Sequence, residues 1–281
     1  MNLLQWNIQW CRGMDGHMDV QRIARVAREL ADPDVACFQE VAINYPALAG
    51  SRGEDQVAEL SAAFPGYSAH FVWGPDVPDG HGGRRRFGNL LLSRLPVHQV
   101  LRHSLPWPAH AEVPTMQRTA IEAVIEVNGA PLRITTTHLE YYSATQRYAQ
   151  VEALRTLHAN ATARARATPS KQYNSGPFQP LASSISGLIT GDFNMRTDDP
   201  AYARMLAPID GAEPLIDVWS HCHPHTPHPP TFCVFDSRYS KSPYCCDFIF
   251  ASRDLAPRLR NIRVDLDTQA SDHQPVILHL A

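Results

Sequence analysis

The chain has 281 residues, of which 44% are hydrophobic, and its formal net charge is −3. This composition supports a sizeable core and argues against disorder, and it excludes a global positive field that would attract nucleic acid. Polyanion binding would therefore need a local patch or a metal. No apolar run reaches the length of a membrane span, and the N-terminus lacks a signal-peptide pattern. We expect a cytoplasmic protein with no membrane span.

The first half of the chain predicts alternating strands and helices. The predicted strands cover residues 2–9, 35–38 and 88–93, and the predicted helices run from the N-cap Asp19 to just before Pro33 and over 56–64. If the first helix makes the usual right-handed crossover, Asn7 and Glu40 lie near the same end of adjacent strands. Glu40 is expected just past the end of the second strand.

The second half continues this mixed pattern. Strands are predicted over 120–127, 132–137, 188–190, 248–251 and 276–280, and helices over 144–167 and 200–206. Asn128-Gly129 is a hairpin signal between the first two of these strands. Residues 168–186 have turn chemistry and no periodicity, so we expect a loop or mobile insertion. Because no repeat or linker divides the chain, we expect one domain over 1–281.

Cysteines and histidines give no clear metal-binding spacing. The six cysteines lie at positions 11, 37, 222, 233, 245 and 246, and none forms a CxxC pair. Free buried thiols are the favoured interpretation. The segment 221–228 is rich in histidine and includes Cys222, which suggests zinc. Its prolines break the helix that would space ligands regularly, so a surface loop is favoured over a zinc site.

Acidic, amide and imidazole side chains recur where the predicted strands end. They are Asn7, Glu40, His138, Asp192, Asn194, Asp247, Asp272 and His273. Such groups, without a cysteine ligand set, hold a hard cation and a phosphate ester. Glu40 is the best candidate for the principal metal ligand, with Asn7 supporting the metal or its water.

Asp192 and Asn194 are separated by one residue, so in an extended segment they project to the same side. The carboxylate can orient or deprotonate a water, and the amide can donate to a phosphate oxygen. His138, neutral near pH 7 by default, can donate to a non-bridging phosphate oxygen. Taken alone, each of these residues has an ordinary alternative, such as a turn residue or a solvated histidine. The complete set favours function.

Arginines provide weaker candidates. Arg118 and Arg147 are each within possible reach of a phosphate, although arginines at a strand start and on a helix are usually solvated. The cluster at residues 84–86 lies among glycines, and a solvated loop is favoured over a polyanion contact.

Six segments in order resemble the endonuclease/exonuclease/phosphatase superfamily of DNase and exonuclease type. They are Gln5-Trp6-Asn7-Ile8, Phe38-Gln39-Glu40-Val41, Thr136-Thr137-His138-Leu139, Thr190-Gly191-Asp192-Phe193-Asn194, Cys246-Asp247-Phe248-Ile249-Phe250 and Ser271-Asp272-His273-Gln274-Pro275-Val276. The resemblance implies a four-layer α/β sandwich of two packed β-sheets with helices outside. It also implies that Asp247 orients His273 and raises its basicity, and that Asp272 lies on the metal side.

The resemblance implies a phosphoesterase that uses Mg²⁺ or Mn²⁺, with a nuclease or phosphodiesterase first and a phosphomonoesterase or lipid phosphodiesterase as the alternative. The partner is then a phosphate ester, with nucleic acid among the candidates, and no protein partner is implied. Cys245-Cys246 departs from the usual basic and aliphatic pair, and no Asn-x-Tyr segment follows His138, so abasic-site repair is disfavoured. A non-catalytic binding module on the same fold would have lost a metal or water-orienting residue, and none is missing.

Overall fold

The computed structural model describes residues 1–169 and 175–281. Its strands are β1 (Asn2–Asn7), β2 (Val35–Ile43), β3 (Ser68–Pro78), β4 (Arg84–Ser93), β5 (Val97–Ser104), β6 (Thr119–Val127), β7 (Ala130–His138), β8 (Gly187–Asp192), β9 (Leu215–Asp217), β10 (Asp247–Ser252), β11 (Leu259–Val264) and β12 (Val276–Leu280). Its α-helices are α1 (Val20–Ala31), α2 (Gln56–Ala63), α3 (Ala144–Arg166), α4 (Pro200–Leu206) and α5 (Val218–Cys222).

The strands form two six-stranded mixed sheets. The first sheet has the order β11-β12-β1-β2-β4-β3, and the second has the order β5-β6-β7-β8-β10-β9. In each sheet one central pair is parallel, β1 with β2 and β7 with β8. Parallel neighbours bring their carboxyl ends to the same edge, so both sheets deliver strand ends to one end of the molecule.

The two sheets pack face to face, with helices on their outer faces. Alternation along a strand explains how both faces are buried, because Leu3 joins the core between the sheets while Leu4 packs under α1 and α2. On the other side, Val151 of α3 and Met205 of α4 pack against the second sheet. The predicted four-layer α/β sandwich is confirmed.

The helix boundaries follow from local capping chemistry. The Asp19 side chain accepts a hydrogen bond from the backbone amide of Arg22, which confirms the predicted N-cap of α1. The same helix ends at Asp32, which takes a left-handed conformation directly before Pro33. Ser143 caps α3 by accepting from the amide of Gln146. No helix among the described residues is long and apolar enough to cross a membrane.

Four strands are absent from the sequence prediction, and all four are sheet edges. They are β3, β5, β9 and β11. An edge strand exposes one side, and β3 also contains Gly74 and Pro75, so the hydrophobic pattern that identifies buried strands is weak there. The predicted solvated loop at residues 84–86 is wrong, because these arginines begin β4, where Arg84 and Arg86 form ion pairs with Asp76 of β3.

Two further segments, 168–186 and 221–228, were predicted to be loops. Residues 170–174 of the predicted loop 168–186 lie outside the described residues, and Gly176–Phe178 forms a short 3-10 turn. In the histidine-rich segment 221–228, the ring of His228 is hydrogen-bonded to the Asp217 carboxylate at 2.9 Å and that of His223 to the Ile262 carbonyl at 3.0 Å.

Gly191 permits the close approach of β7 and β8. A Cβ added at this position would lie 2.1 Å from the carbonyl oxygen of Thr137. We expect Gly191→Ala to push the strands apart and to destabilise the fold at the upper end of about 1–3 kcal/mol. The melting temperature should fall by roughly 5–10 °C, measured by circular dichroism. Gly129→Ala is the control for backbone strain alone and should cost less, since Gly129 also has a positive φ, of 78°, but no atom lies within 4 Å of the added Cβ. An equal fall in both variants would contradict this explanation.

Candidate functional site

A β-bulge in β2 aims Glu40 at the site. The register between β2 and β4 shifts between Phe38 and Val41, and Glu40 has a φ of 61°. In a regular strand Glu40 would face away from Gln39, towards the helices, because side chains alternate. The bulge inserts an extra residue and turns the Glu40 carboxylate towards Asn7, whose Nδ2 donates to Oε1 at 3.0 Å. The expectation that Glu40 lies past the end of the strand is wrong.

Asn7 connects carboxylates from the two sheets. Its Nδ2 donates at 3.0 Å to Glu40 of the first sheet and at 3.0 Å to Asp192 Oδ2 of the second. Its Oδ1 accepts from the backbone amide of Gln9 at 3.1 Å. Asn7 is fully buried, so these bonds satisfy an amide that has no access to water.

Gln9 is a site residue that the sequence reasoning missed. Residues 9–11 have three consecutive positive φ angles of 43°, 43° and 62°, which bend the chain after β1 and bury the Gln9 side chain. Its Nε2 donates to Asp272 Oδ2 at 2.5 Å, and its Oε1 has no hydrogen-bond partner within the described chain. Its place two residues after Asn7, in the same motif, was the available signal.

Three predicted residues are neighbours across the second sheet. The register pairs His138 with Asp192 and Asp192 with Asp247, at the ends of β7, β8 and β10. Asp192 Oδ1 accepts from the backbone amide of Asn194 at 2.9 Å. The Asn194 Nδ2 lies 3.0 Å from His138 Nε2 and donates to the Leu139 carbonyl at 3.0 Å. This geometry commits the Asn194 amide to orienting His138.

His273 is held on several sides. Its Nδ1 lies 2.9 Å from Asp247 Oδ2, and its Nε2 lies 3.6 Å from Asp192 Oδ2. The Phe232 ring stacks on the imidazole with centroids 4.4 Å apart. Thr231 Oγ1 in turn accepts from the backbone amide of Asp247 at 3.1 Å. The imidazole therefore has a fixed orientation, with its Nε2 edge towards the Asp192 carboxylate.

Burial is the largest influence on the pKa values of the site carboxylates. Burial raises the pKa of Asp192 to about 6 although the nearby His273 charge opposes the rise. Burial likewise raises the pKa of Asp272 to about 6, and the Glu40 charge adds to the rise while that of His273 opposes it. The pKa of Glu40 is also raised by burial, against its hydrogen bond from Asn7. A positive charge placed among these groups would stabilise their ionised forms.

The two histidines are driven in opposite directions. Burial acts to lower the pKa of His273, but the charges of Asp247 and Asp192 outweigh it and hold that pKa well above the usual value. Burial, followed by the positive charge of Arg118, lowers the pKa of His138 well below its usual value. One imidazole is thus positively charged near neutral pH and the other is neutral.

Arg118 contributes the guanidinium of the site. Its Nε donates to the buried Glu140 carboxylate at 3.3 Å, and its Nη1 is buried without a hydrogen-bond partner in the part of the chain that the structure describes. Arg147 does not line the cavity. Its Nη1 donates to the carbonyls of Glu140 and Tyr141, and its Nη2 donates to the Asp199 carboxylate. Of the two predicted arginines, Arg118 is the one that lines the cavity.

A cavity of about 240 Å³ opens above these groups. It is lined by six of the eight predicted residues, namely Glu40, His138, Asp192, Asn194, Asp272 and His273. The other two, Asn7 and Asp247, lie behind this layer and contact it through Glu40 and His273. Eight residues from well-separated segments of the chain therefore gather at one place.

The donor atoms around Glu40 and Asp272 suit a hard divalent cation. The half-buried Glu40 carboxylate, the buried Asp272 carboxylate and the unpartnered Gln9 Oε1 are oxygen donors, the class that Mg²⁺ and Mn²⁺ prefer. A second set of donors, in Asp192, Cys246 and His273, also lies within 4.8 Å of one another. Its sulfur and nitrogen atoms suit a softer ion better than Mg²⁺.

Comparison with known proteins adds a family to this geometry. The sequence profile described as Endonuclease/Exonuclease/phosphatase family matches residues 4–273. No curated protein matches the sequence significantly.

Solved structures share the fold. An endonuclease/exonuclease/phosphatase from Beutenbergia cavernae DSM 12333 superposes with a TM-score of 0.70 and 23% identity, covering 100% of this chain and 72% of that one. The mannosyl-6-phosphatase Bt3783 of Bacteroides thetaiotaomicron VPI-5482 gives 0.66 and 16%, covering 100% and 99%. D. rerio TDP2 complexed with single strand DNA product gives 0.64 and 18%, covering 99% and 97%. Identities this low show the fold alone.

The charge on His273 should depend on Asp247. We expect Asp247→Asn to lower the His273 pKa by about one to three pH units, because a neighbouring carboxylate is lost. The measurement is an NMR titration of the imidazole nitrogens in metal-free protein. Asp217→Asn, which removes a buried carboxylate that contacts His228 at 2.9 Å, is the matched control and should leave the His273 titration unchanged. An unchanged His273 pKa in Asp247→Asn would show that another group holds the charge.

Proposed function

Because the chain belongs to the endonuclease/exonuclease/phosphatase family, we propose that it is a divalent-metal-dependent hydrolase of phosphate esters. We propose that it acts as a nuclease or phosphodiesterase and that residues 1–281 form a single catalytic domain. One observation carries the proposal. The carboxylates of Glu40, Asp192 and Asp272 face one small cavity together with the His273 imidazole, whose pKa is held above its usual value, and the Arg118 guanidinium, whose Nη1 has no described partner. This is the set of charges that phosphoryl transfer to water requires.

Glu40 and Asp272 are the proposed metal ligands, with the Gln9 amide oxygen beside them. The bulge in β2 and the hydrogen bond from Asn7 hold Glu40, while Gln9 Nε2 holds Asp272. When bound, Mg²⁺ or Mn²⁺ supplies positive charge that neutralises a phosphate oxygen and the leaving oxygen. Asn7 keeps the Glu40 carboxylate oriented and supports the ligand set without contacting the cavity.

Asp192 is the proposed group that orients the attacking water. Hydrogen bonds from Asn7 and from the backbone of Asn194 fix both of its oxygens. The carboxylate accepts a proton from the water as the water oxygen bonds to phosphorus, and the bond to the leaving oxygen breaks with its electron pair. Because the carboxylate cannot rotate freely, little reorganisation is needed in the transition state.

His273 and Arg118 are the proposed partners of the phosphate oxygens, and the neutral His138 lies beside them. The imidazolium of His273 and the Arg118 guanidinium stabilise negative charge as it builds up on the phosphoryl group. His138, kept neutral, positions its ring beside Asp192 at 3.4 Å without adding a competing positive charge. Asn194 acts by orienting His138. Asp247 acts by orienting and charging His273.

The cavity itself favours a short ester. A volume of about 240 Å³ with one arginine and no lysine among its described lining residues suits a single phosphate group and its substituents. A long duplex would need a basic track that spans several phosphates. A phosphomonoesterase is the second candidate, and a non-catalytic binding module is disfavoured because the proposed metal and water-orienting residues are all present and in contact.

Loss of any central group should abolish turnover without unfolding. We expect Glu40→Gln, Asp192→Asn and His273→Ala each to lower kcat on bis(p-nitrophenyl) phosphate by about 10²–10⁴. Circular dichroism should show unchanged secondary structure. Glu29→Gln, a change on the exposed face of α1, is the matched control and should retain full activity. Full activity in all three site variants would refute the proposed mechanism.

Metal removal should be reversible in its effect. We expect EDTA to stop hydrolysis of bis(p-nitrophenyl) phosphate and added Mg²⁺ or Mn²⁺ to restore it, since without the cation the negative charge that builds up in the transition state loses its main stabilisation. Glu40→Gln should require a higher metal concentration for half-maximal residual activity. Hydrolysis that continues unchanged in EDTA, with no bound metal detected by elemental analysis, would exclude metal dependence.

A further inference from the structure

Six aromatic side chains line the cavity, and apart from Phe232, which stacks on His273, they have no role in the proposed chemistry. They are Trp10, Phe87, Tyr141, Tyr142, Phe232 and Tyr239. Tyr142 is 57% exposed and Tyr239 is 50% exposed. Two such rings left open to solvent at the entrance of a pocket provide flat apolar surface that a ligand can cover.

One of these aromatics is connected to the catalytic imidazole through a stack of rings. Tyr239 stacks on Phe232 with centroids 5.9 Å apart, and Phe232 stacks on His273 with centroids 4.4 Å apart, both at 29°. The exposed ring of Tyr239 is therefore separated from the His273 imidazole by one intervening ring, that of Phe232. A substrate held at His273 through its phosphate can reach this ring with its next substituent.

Tyr142 is fixed by its backbone and by its neighbour. The backbone amide of Tyr142 donates to Glu140 Oε1 at 3.0 Å, and the Tyr141 ring meets it edge-on with centroids 4.8 Å apart. Arg147 Nη1 donates to the carbonyls of Glu140 and Tyr141 at 3.0 and 3.1 Å. The same Glu140 carboxylate holds Arg118, so the aromatic wall and the guanidinium share one support.

Trp10 is equally constrained. Its indole Nε1 donates to the Ala49 carbonyl at 2.9 Å, and its own carbonyl accepts from Gln56 Nε2 at 2.8 Å. The three positive φ angles of residues 9–11 fix the direction in which the indole leaves the chain. Rings that are held in place before binding lose little conformational entropy when a ligand stacks on them.

The charged side chains that line the cavity limit how many phosphate groups a ligand can place there. Arg118 is the one arginine or lysine among the described residues that line the cavity, and two carboxylates of the wall face the metal position. A polyphosphate would find no second arginine or lysine among these described lining residues. The ligand that fits carries one phosphate group and a flat ring within a volume of about 240 Å³.

We propose that the substrate is a phosphate ester that bears a planar heteroaromatic ring, of the nucleoside phosphate class, whose ring stacks on Tyr142 and Tyr239 while its phosphate contacts Arg118 and His273. This inference rests on the proposed function, because it assigns the substrate of the same site. A nucleobase offers a π-face to both tyrosines whatever its sequence identity, and stacking of this kind is tolerant of the base.

A binding experiment can distinguish the contribution of the ring to affinity from that of the phosphate. In Asp192→Asn protein with Mg²⁺, we expect calorimetry to give adenosine 5′-monophosphate an affinity about ten-fold higher than glycerol 3-phosphate or glucose 6-phosphate, because only the first has a ring to stack. Adding Tyr142→Ala or Tyr239→Ala should lower the affinity for adenosine 5′-monophosphate by about ten-fold. A change from tyrosine to phenylalanine at either position should leave that affinity unchanged.

The control is Tyr148→Ala, which removes a 41% exposed ring of α3 outside the cavity and should change no affinity. Equal affinity for the three phosphates, tighter binding of glucose 6-phosphate, or alanine variants without effect would each overturn the inference. Wild-type hydrolysis of bis(p-nitrophenyl) phosphate is measured in parallel. Activity without ring preference overturns the inference and leaves the proposed function standing; ring-selective binding without activity on any ester supports the inference and overturns the proposed function.

Discussion

A layer of buried amides and hydroxyls between the two sheets carries the site. Gln39 Nε2 donates to Gln5 Oε1 and to Thr136 Oγ1, each at 3.0 Å, and Thr190 Oγ1 donates to Gln5 Oε1 at 3.5 Å. All four side chains are inaccessible to water. Leaving one such group unpaired would cost about 1–3 kcal/mol, so this layer fixes how the sheets meet.

Alternation along the strands makes that layer the foundation of the chemistry. Each strand carries a supporting residue and, two positions later on the same face, a site residue: Gln5 precedes Asn7, Thr136 precedes His138, and Thr190 precedes Asp192. Below the polar layer the same face is apolar and forms the core between the sheets. Strand β2 breaks the rule, since Glu40 directly follows Gln39, and the bulge is the device that brings both side chains to the same interface. The position of Glu40, the proposed metal ligand, therefore depends on a local irregularity in an otherwise regular frame.

The sequence predicted the buried strands, four of the five α-helices and the gathering of the eight residues, because apolar runs with polar ends are visible in the sequence; the short helix α5 was not predicted. The four edge strands were missed, since one side of each faces solvent and the pattern is diluted. The Glu40 bulge was missed because a positive φ at a glutamate leaves no mark in hydrophobic periodicity. Gln9 and Glu140 were missed for another reason: their roles come from contacts with Asp272 and Arg118, which are far away in sequence.

The residues proposed for the reaction and those proposed for substrate selectivity lie on different parts of the fold. Chemistry is carried by strand ends, where the register of the sheets places each group, whereas Trp10, Tyr142 and Tyr239 lie on connections outside the named strands and α-helices. Loops change more freely than sheets, because few buried contacts depend on them. In this chain, however, the loop aromatics are coupled to the centre: Glu140 holds both Arg118 and the Tyr142 backbone, and Phe232 lies between Tyr239 and His273. We therefore expect a change in these aromatic side chains to affect the groups proposed to face the phosphate, and in the proposed reaction this would tie the choice of substrate to the rate of its hydrolysis.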